Sequence, residues 1–184
     1  EHVRRAPAST TKILTAIVAL ERGILESDVK VSPKAAATRG SSMHLNTGQT
    51  FSLREMLGGL LLRSGNDAAV AIAEHIAGST EDFAKLMNDK ALEIGAKNSQ
   101  FVNPHGLTVA GHFSTAYDLA LLTRYALANP VFADIVKTKE ENVDWLDRKG
   151  NEQSKPIRNT NKLLWMLADA DGVKTGTTGE AGQC

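Results

Sequence analysis

The eight residues Ile13-Leu14-Thr15-Ala16-Ile17-Val18-Ala19-Leu20 constrain this chain more than any other stretch. Residues 9–22 read as a helix closed by Gly23, and this run leaves the helix almost no polar face. A helix that is apolar all round has to be enclosed by other elements. The remainder of the chain must therefore supply a shell of amphipathic pieces around one central rod. With 184 residues it is long enough to do so, as one domain or as two small lobes sharing a core. The run is far too short to span a bilayer.

The shell is legible in the capping residues. Residues 34–50, rich in Gly, Ser, Thr and Asn, read as a loop. Ser52-Leu53-Arg54-Glu55 forms a capping box that opens a helix to about Arg63. Ser64-Gly65-Asn66 breaks the pattern, and Asp67 caps a helix from Ala68 to about Ile76, ended by Gly78. Ser79 caps a third helix, which carries Phe83, Leu86, Met87, Ala91 and Leu92 at helical spacing and ends at Gly95. Residues 97–114 form an irregular connection. Thr115 begins a helix through Ala128, and Asn129-Pro130 starts a short one with proline at its first position. Residues 138–148 and 151–158 pair across Lys149-Gly150-Asn151 as a hairpin. Asn161 to Leu167 is expected to pack on the core, and residues 172–178 to form a strand. The class is α-rich α+β, with the sheet side incompletely represented.

Composition narrows the functional classes. Apolar residues at 42% and charged residues at 23% are the balance of a folded globular chain. Lys plus Arg equals Asp plus Glu at 21 each, so no overall basic field gathers nucleic acid or anionic lipid. Cys184 is the only cysteine, which excludes an internal disulfide framework and a cysteine-built zinc site. His105 and His112 stand seven apart in an irregular segment without a third ligand nearby, so hydrogen bonding is their expected role and no metal is expected. Trp145 and Trp165 are expected to be packing residues. No pair of carboxylates suits glycoside chemistry.

Three short motifs carry chemistry. Ser9 and Lys12 lie three apart on the central helix, on one face. A serine hydroxyl needs a base to become a nucleophile, and a lysine amine becomes that base when burial and nearby positive charge lower its pKa. Ser9 also sits at the helix N-terminus, where its own N–H is unpaired and can help to hold an oxyanion. Ser64-Gly65-Asn66 lies on a turn between helices, where a hydroxyl and an amide two apart can both face a cleft. Lys174-Thr175-Gly176 lies on an extended segment that can receive a peptide as an added strand and bind its carboxylate. Each motif has an ordinary reading when taken alone: a helix cap, a helix break, the end of a strand. Ser-x-x-Lys recurs by chance about once in a chain of this length. The ordered set of three is far more specific.

That set resembles the signature of the penicillin-binding proteins and serine β-lactamases. The likeness extends well past the motifs. Ala6-Pro7-Ala8-Ser9-Thr10-Thr11-Lys12, Gly40-Ser41-Ser42-Met43, Ser64-Gly65-Asn66-Asp67-Ala68, Asn103-Pro104-His105-Gly106-Leu107, Gly111-His112-Phe113-Ser114 and Asp171-Gly172-Val173-Lys174-Thr175-Gly176 are similar to segments of the low-molecular-mass D-alanyl-D-alanine carboxypeptidases. The resemblance implies the penicillin-binding protein/serine β-lactamase-like transpeptidase fold. It implies Ser9 as nucleophile, Lys12 as general base and Ser64 as proton relay to the departing D-alanine. It implies Asn66, Lys174, Thr175, Gly176 and Thr177 as substrate-binding residues, with the N–H groups of Ser9 and Thr177 as the oxyanion hole. The implied substrate is a peptidoglycan stem peptide ending in D-Ala-D-Ala, with β-lactams as acylating inhibitors, no cofactor, and a location in the cell envelope outside the cytoplasm.

Family members carry strands before the Ser-x-x-Lys helix. After Lys-Thr-Gly they carry further strands, a helix and a carboxylate-binding arginine. Against that pattern residues 1–184 are expected to be one catalytic domain truncated at both ends, with a complete helical lobe and a partial sheet lobe. A strand at 172–178 would then have unpaired edges on both sides, and a membrane anchor would belong only to a longer parent chain. A class A β-lactamase is one alternative, but the Glu-x-x-Leu-Asn segment it needs for deacylation is not found. An inert penicillin-fold fragment or binding module is the other, and the intact Ser9, Lys12, Ser64 and Lys174 argue against it.

Overall fold

A computed structural model describes residues 1–184. A 3-10 turn at Ala8–Thr10 leads into the central helix α1 (Thr11–Arg22). Every residue from Thr11 to Ala19 is buried, Lys12 among them. The enclosing shell consists of α3 (Leu53–Leu62), α4 (Asn66–Ala77), α5 (Thr80–Ile94), α6 (Ala116–Leu127) and α7 (Pro130–Lys137), all of which contact α1. Burying each large aliphatic side chain of such a rod contributes about 1.5–3 kcal/mol. The core therefore forms around the segment that also carries Ser9 and Lys12, the candidate nucleophile and base.

The expected caps are in place. Ser52 accepts from the Glu55 N–H while Glu55 reaches back to the Ser52 N–H. Ser79 and Thr115 accept from the N–H three residues on, and Asn129 caps α7. Asp67 departs from expectation. It lies inside the first turn of α4, which begins at Asn66 with Gly65 at the N-cap, and its carboxylate is turned to the loop at 42–45 instead. Residues 34–50 are not loop throughout. Ser32 caps a single helical turn, α2 (Pro33–Ala36), and the segment ends in a strand. Ser32-Pro33 carries the same cap-and-proline start as Asn129-Pro130, but the four-residue helix after it is too short to leave an apolar periodicity.

One antiparallel sheet flanks the helices in the order β1 (Asp28–Lys30), β2 (Thr50–Ser52), β3 (Glu140–Leu146), β4 (Glu152–Arg158). Val29, Phe51, Val143 and Ile157 face the core, and Phe51 stacks on Trp145 at 5.6 Å between centroids. The hairpin joining β3 and β4 forms as expected. Asp147 Oδ1 accepts from the Lys149 and Asn151 N–H groups across the turn. Pro156 is tolerated because β4 is the outer strand.

Two expectations for the last third are corrected. In the segment 161–167, which includes α8 (Leu163–Met166), only Asn161 and Leu164 are buried, while Leu163, Trp165, Met166 and Leu167 are exposed. One short helical turn can present only one residue to the core. Residues 172–178 are not a continuous strand. Only Thr177–Thr178 (β5) is, and it pairs with Gly182–Gln183 (β6). Gly176 and Cys184 exchange both backbone hydrogen bonds, at 2.9 and 2.8 Å, so one edge of this segment is paired within the chain. No single helix is long and apolar enough to cross a membrane.

Candidate active site

The site is assembled around Lys12. Its side chain is fully buried at the second residue of α1, one turn after Ser9. Its Nζ donates to Ser9 Oγ at 3.0 Å, to Asn66 Oδ1 at 2.8 Å and to the His105 carbonyl at 2.7 Å. Three acceptors saturate an ammonium. Burial, followed by the positive charge of Lys174, holds the Lys12 pKa well below the usual lysine range, and Asp67 opposes this. On losing a proton the amine keeps its donations to Asn66 and the His105 carbonyl and turns its lone pair to Ser9 Oγ, the arrangement needed to take the hydroxyl proton.

Ser9 is partly exposed on the 3-10 turn, so its Oγ faces both Lys12 and the outside. Its N–H has no backbone partner. Ala8 before it has φ of 48°, a left-handed conformation rare for a side-chain-bearing residue. Ser64 has the same peculiarity, with φ of 60°. Non-glycine residues in this region cluster where the surroundings impose a function on the backbone. Ser64 is buried and its hydroxyl makes no hydrogen bond to Ser9, Lys12 or any other group of the chain.

Asn66 is more committed than its expected role suggests. Besides accepting from Lys12, its Nδ2 donates to the Arg39 carbonyl at 2.7 Å, and its N–H donates to the Ser41 carbonyl at 2.7 Å. It ties the lysine to the loop at 39–41. That loop is held in turn by Asp67, which accepts from Ser42 Oγ, the Met43 N–H and the Leu45 N–H. Met43 packs so closely on α3 that a Cβ on Gly59 would fall 1.6 Å from its sulfur.

The third wall is the connection at 103–112. Asn103 Oδ1 accepts from the Gly106 N–H and Thr15 Oγ1 donates to the Pro104 carbonyl, which aims the His105 carbonyl at Lys12. Gly106 has φ of +89°, and a Cβ there would meet the Ala8 carbonyl oxygen at 1.8 Å. Only glycine lets this turn lie against the Ser9 turn. His112 accepts from the Val102 N–H through Nδ1, so Nε2 carries the proton and donates to Thr11 Oγ1 at 2.9 Å. Burial lowers the pKa of His112 to about 4, and burial with Lys12 and then His112 does the same to His105. Both histidines hydrogen bond as neutral rings, in the role expected of them. Nowhere do three His, Cys, Asp or Glu side chains converge to share a metal ion.

Lys174 donates to the Thr175 carbonyl at 2.9 Å and hydrogen bonds to neither Ser9 nor Ser64. Burial lowers its pKa to about 8. Gly176 packs on the Ser9 turn, since a Cβ there would lie 3.0 Å from the Ser9 nitrogen. Because Gly176 and Cys184 form a hydrogen-bonded pair, the adjacent pair Thr177–Gln183 is a non-bonded one, and the Thr177 N–H points away from β6. The Thr175 hydroxyl makes no hydrogen bond, and that of Thr177 donates to the Gly176 carbonyl at 2.8 Å. Sequence reasoning missed the His105 carbonyl and the bond from Lys12 to Asn66. A backbone carbonyl leaves no residue signature, and 54 positions separate the two bonded side chains.

One family description, D-alanyl-D-alanine carboxypeptidase, matches the chain over residues 1–184. The chain belongs to this carboxypeptidase family. It is 44% identical to the D-alanyl-D-alanine carboxypeptidase DacF of Bacillus subtilis over 98% of its own length and 47% of that protein. It is 40% identical to DacC of Escherichia coli over 96% of its length and 45% of that protein. Residues 1–184 thus span under half of these curated carboxypeptidases. The solved DD-transpeptidase of Streptomyces K15 superposes with a TM-score of 0.93 at 34% identity, over 99% of this chain and 74% of that one. The carboxypeptidase family's mixed helix-and-sheet fold, with part of the sheet lobe, is therefore the fold of this chain.

Proposed function

We propose that this chain is the acyl-transfer domain of a serine D-Ala-D-Ala carboxypeptidase, which removes the terminal D-alanine from peptidoglycan stem peptides through a Ser9 ester. The contact of Lys12 Nζ with Ser9 Oγ inside an apolar helix carries the proposal. Ser9 Oγ gives its proton to Lys12 and attacks the carbonyl carbon of the penultimate D-alanine. The oxyanion lies between the N–H groups of Ser9 and Thr177. Ser64, whose hydroxyl is otherwise unused, passes a proton to the leaving amine. Asn66 keeps one hydrogen of Nδ2 and one lone pair of Oδ1 for the peptide, while Lys174 and Thr175 take the terminal carboxylate. Water then cleaves the ester with the same groups reversed. The substrate class places the reaction outside the cytoplasm, in the cell envelope. β-Lactams, which resemble the dipeptide, acylate the same serine.

Incubation with benzylpenicillin is expected to add one penicilloyl mass to the intact protein, mapped to the Ser9 peptide and lost in Ser9→Ala. A folded protein that takes up no adduct contradicts the reading. D-Alanine release from a stem peptide, with slow loss of the penicilloyl group, separates a carboxypeptidase from a β-lactamase.

The two lysines set opposite limbs of the pH profile. Lys12 acts when neutral, so acylation rises as pH passes its lowered pKa. Lys174 binds a carboxylate when charged, so acylation falls above about 8. Lys174→Arg replaces a titrating ammonium with a guanidinium that stays charged, and is expected to move the falling limb upward. A falling limb of the same midpoint in Lys174→Arg removes Lys174 from this role.

A further inference from the structure

Arg63 immediately precedes Ser64 and is partly buried, and its side chain makes neither a hydrogen bond nor an ion pair with the chain. It lines a cleft of about 290 Å³ between the loop at Met43–His44 and the outer strand β4. Lys155 and Arg158 line the same cleft, and no acidic side chain does. Three cations around one cleft form a local excess in a chain of formal net charge +0. Each is held without being used up. Lys155 donates one hydrogen to the Met43 carbonyl at 2.6 Å and keeps two. Arg158 lies over the Trp165 ring at 3.9 Å and meets Glu140 through Nε at 3.3 Å, which leaves its terminal nitrogens free. The nearby carboxylate of Asp67 is already occupied by the loop at 42–45 and the Ala68 N–H.

The cleft is joined to the reactive pair through the chain: Arg63 lines it, and the next three residues lead to Asn66, which binds Lys12. A residue two or three places upstream of a scissile bond lies roughly 7–10 Å from it along an extended peptide, outside the immediate surroundings of Ser9 and Lys12. We propose that this cleft is an anion subsite that takes a side-chain carboxylate of the acyl-donor peptide, upstream of its two terminal D-alanines. The inference rests on the acyl-transfer reading for the peptide's placement, and on the cations alone for the ligand's charge.

The test is calorimetric titration of Ser9→Ala with two peptides ending in D-Ala-D-Ala. They are identical except that an upstream side chain ends in a carboxylate or in a carboxamide. The carboxylate peptide is expected to bind about tenfold more tightly at low ionic strength, with the ratio shrinking as salt is added. On the Ser9→Ala background, Arg63→Gln and, separately, Lys155→Gln are each expected to bring the ratio toward one, in proteins shown by thermal melting to be folded. Equal affinities, binding of neither peptide, or a ratio indifferent to both substitutions overturns the subsite. Benzylpenicillin, which has no upstream side-chain carboxylate, decides the underlying reading separately. An adduct on Ser9 without carboxylate preference removes the subsite alone. Carboxylate preference without an adduct keeps an anion site in the cleft but removes the acyl-transfer reading, and with it the subsite's placement on the peptide.

Discussion

Lys12→Met is expected to slow penicilloylation of Ser9 by about 10²–10⁴-fold while leaving a folded protein, because it deletes the proposed general base and keeps the volume. Lys12 is fully buried, and methionine follows the same unbranched path into the core. Two effects on stability oppose each other. The Asn66 Oδ1 and His105 carbonyl oxygens lose the donor they share, at about 1–3 kcal/mol for each acceptor left dry. Against this, the substitution removes a buried amine whose charged form burial disfavours. The rate is read from the time course of the mass shift, and folding from the thermal midpoint. Acylation within about tenfold of the parent rate would mean that another group takes the Ser9 proton.

The second large effect concerns stability. Asp67→Ala is expected to cost about 3–5 kcal/mol. The carboxylate is 1% exposed and accepts from Ser42 Oγ at 2.6 Å and from the N–H groups of Ala68, Met43 and Leu45 at 2.9, 3.0 and 3.1 Å. Alanine leaves the three N–H groups buried without this acceptor and frees the part-buried Ser42 hydroxyl. Such a loss is a large part of the roughly 5–15 kcal/mol that stabilises a domain. The urea midpoint measures it, and hydrogen exchange at residues 42–45 locates it. Because this loop also holds Asn66 and forms one wall of the Arg63 cleft, acylation should weaken along with stability. A change below about 1 kcal/mol with unaltered exchange would show that water replaces the carboxylate.

Much of this was legible because the relevant physics is local. The apolar run at 13–20 demanded burial on every side, and α1 is enclosed by five helices. The Ser52 and Ser79 caps and the Asn129-Pro130 start depend on a few adjacent residues, and all formed. The Ser9–Lys12 contact follows from helical spacing alone. Errors fell where distant partners compete for a group. Asp67 reads as a cap because an acid before an apolar helix usually is one, yet the loop at 42–45 offers its carboxylate more donors. Residues 161–167 read as core because they are apolar, yet a single helical turn hides one face only.

By itself, then, the sequence determined the central helix, the capped shell around it, the family, and the pairing of a serine with a lysine on one helical face. Periodicity and capping act over three or four residues and need no knowledge of the rest of the chain. Only the tertiary structure decided what surrounds that pair. The Asn66 amide and the His105 carbonyl close on Lys12 from 54 and 93 residues away, and the Lys174 charge depresses its pKa from farther still. Dehydration and field depend on what is packed nearby in space, so the lowered pKa on which the proposed role of Lys12 rests was set by the fold.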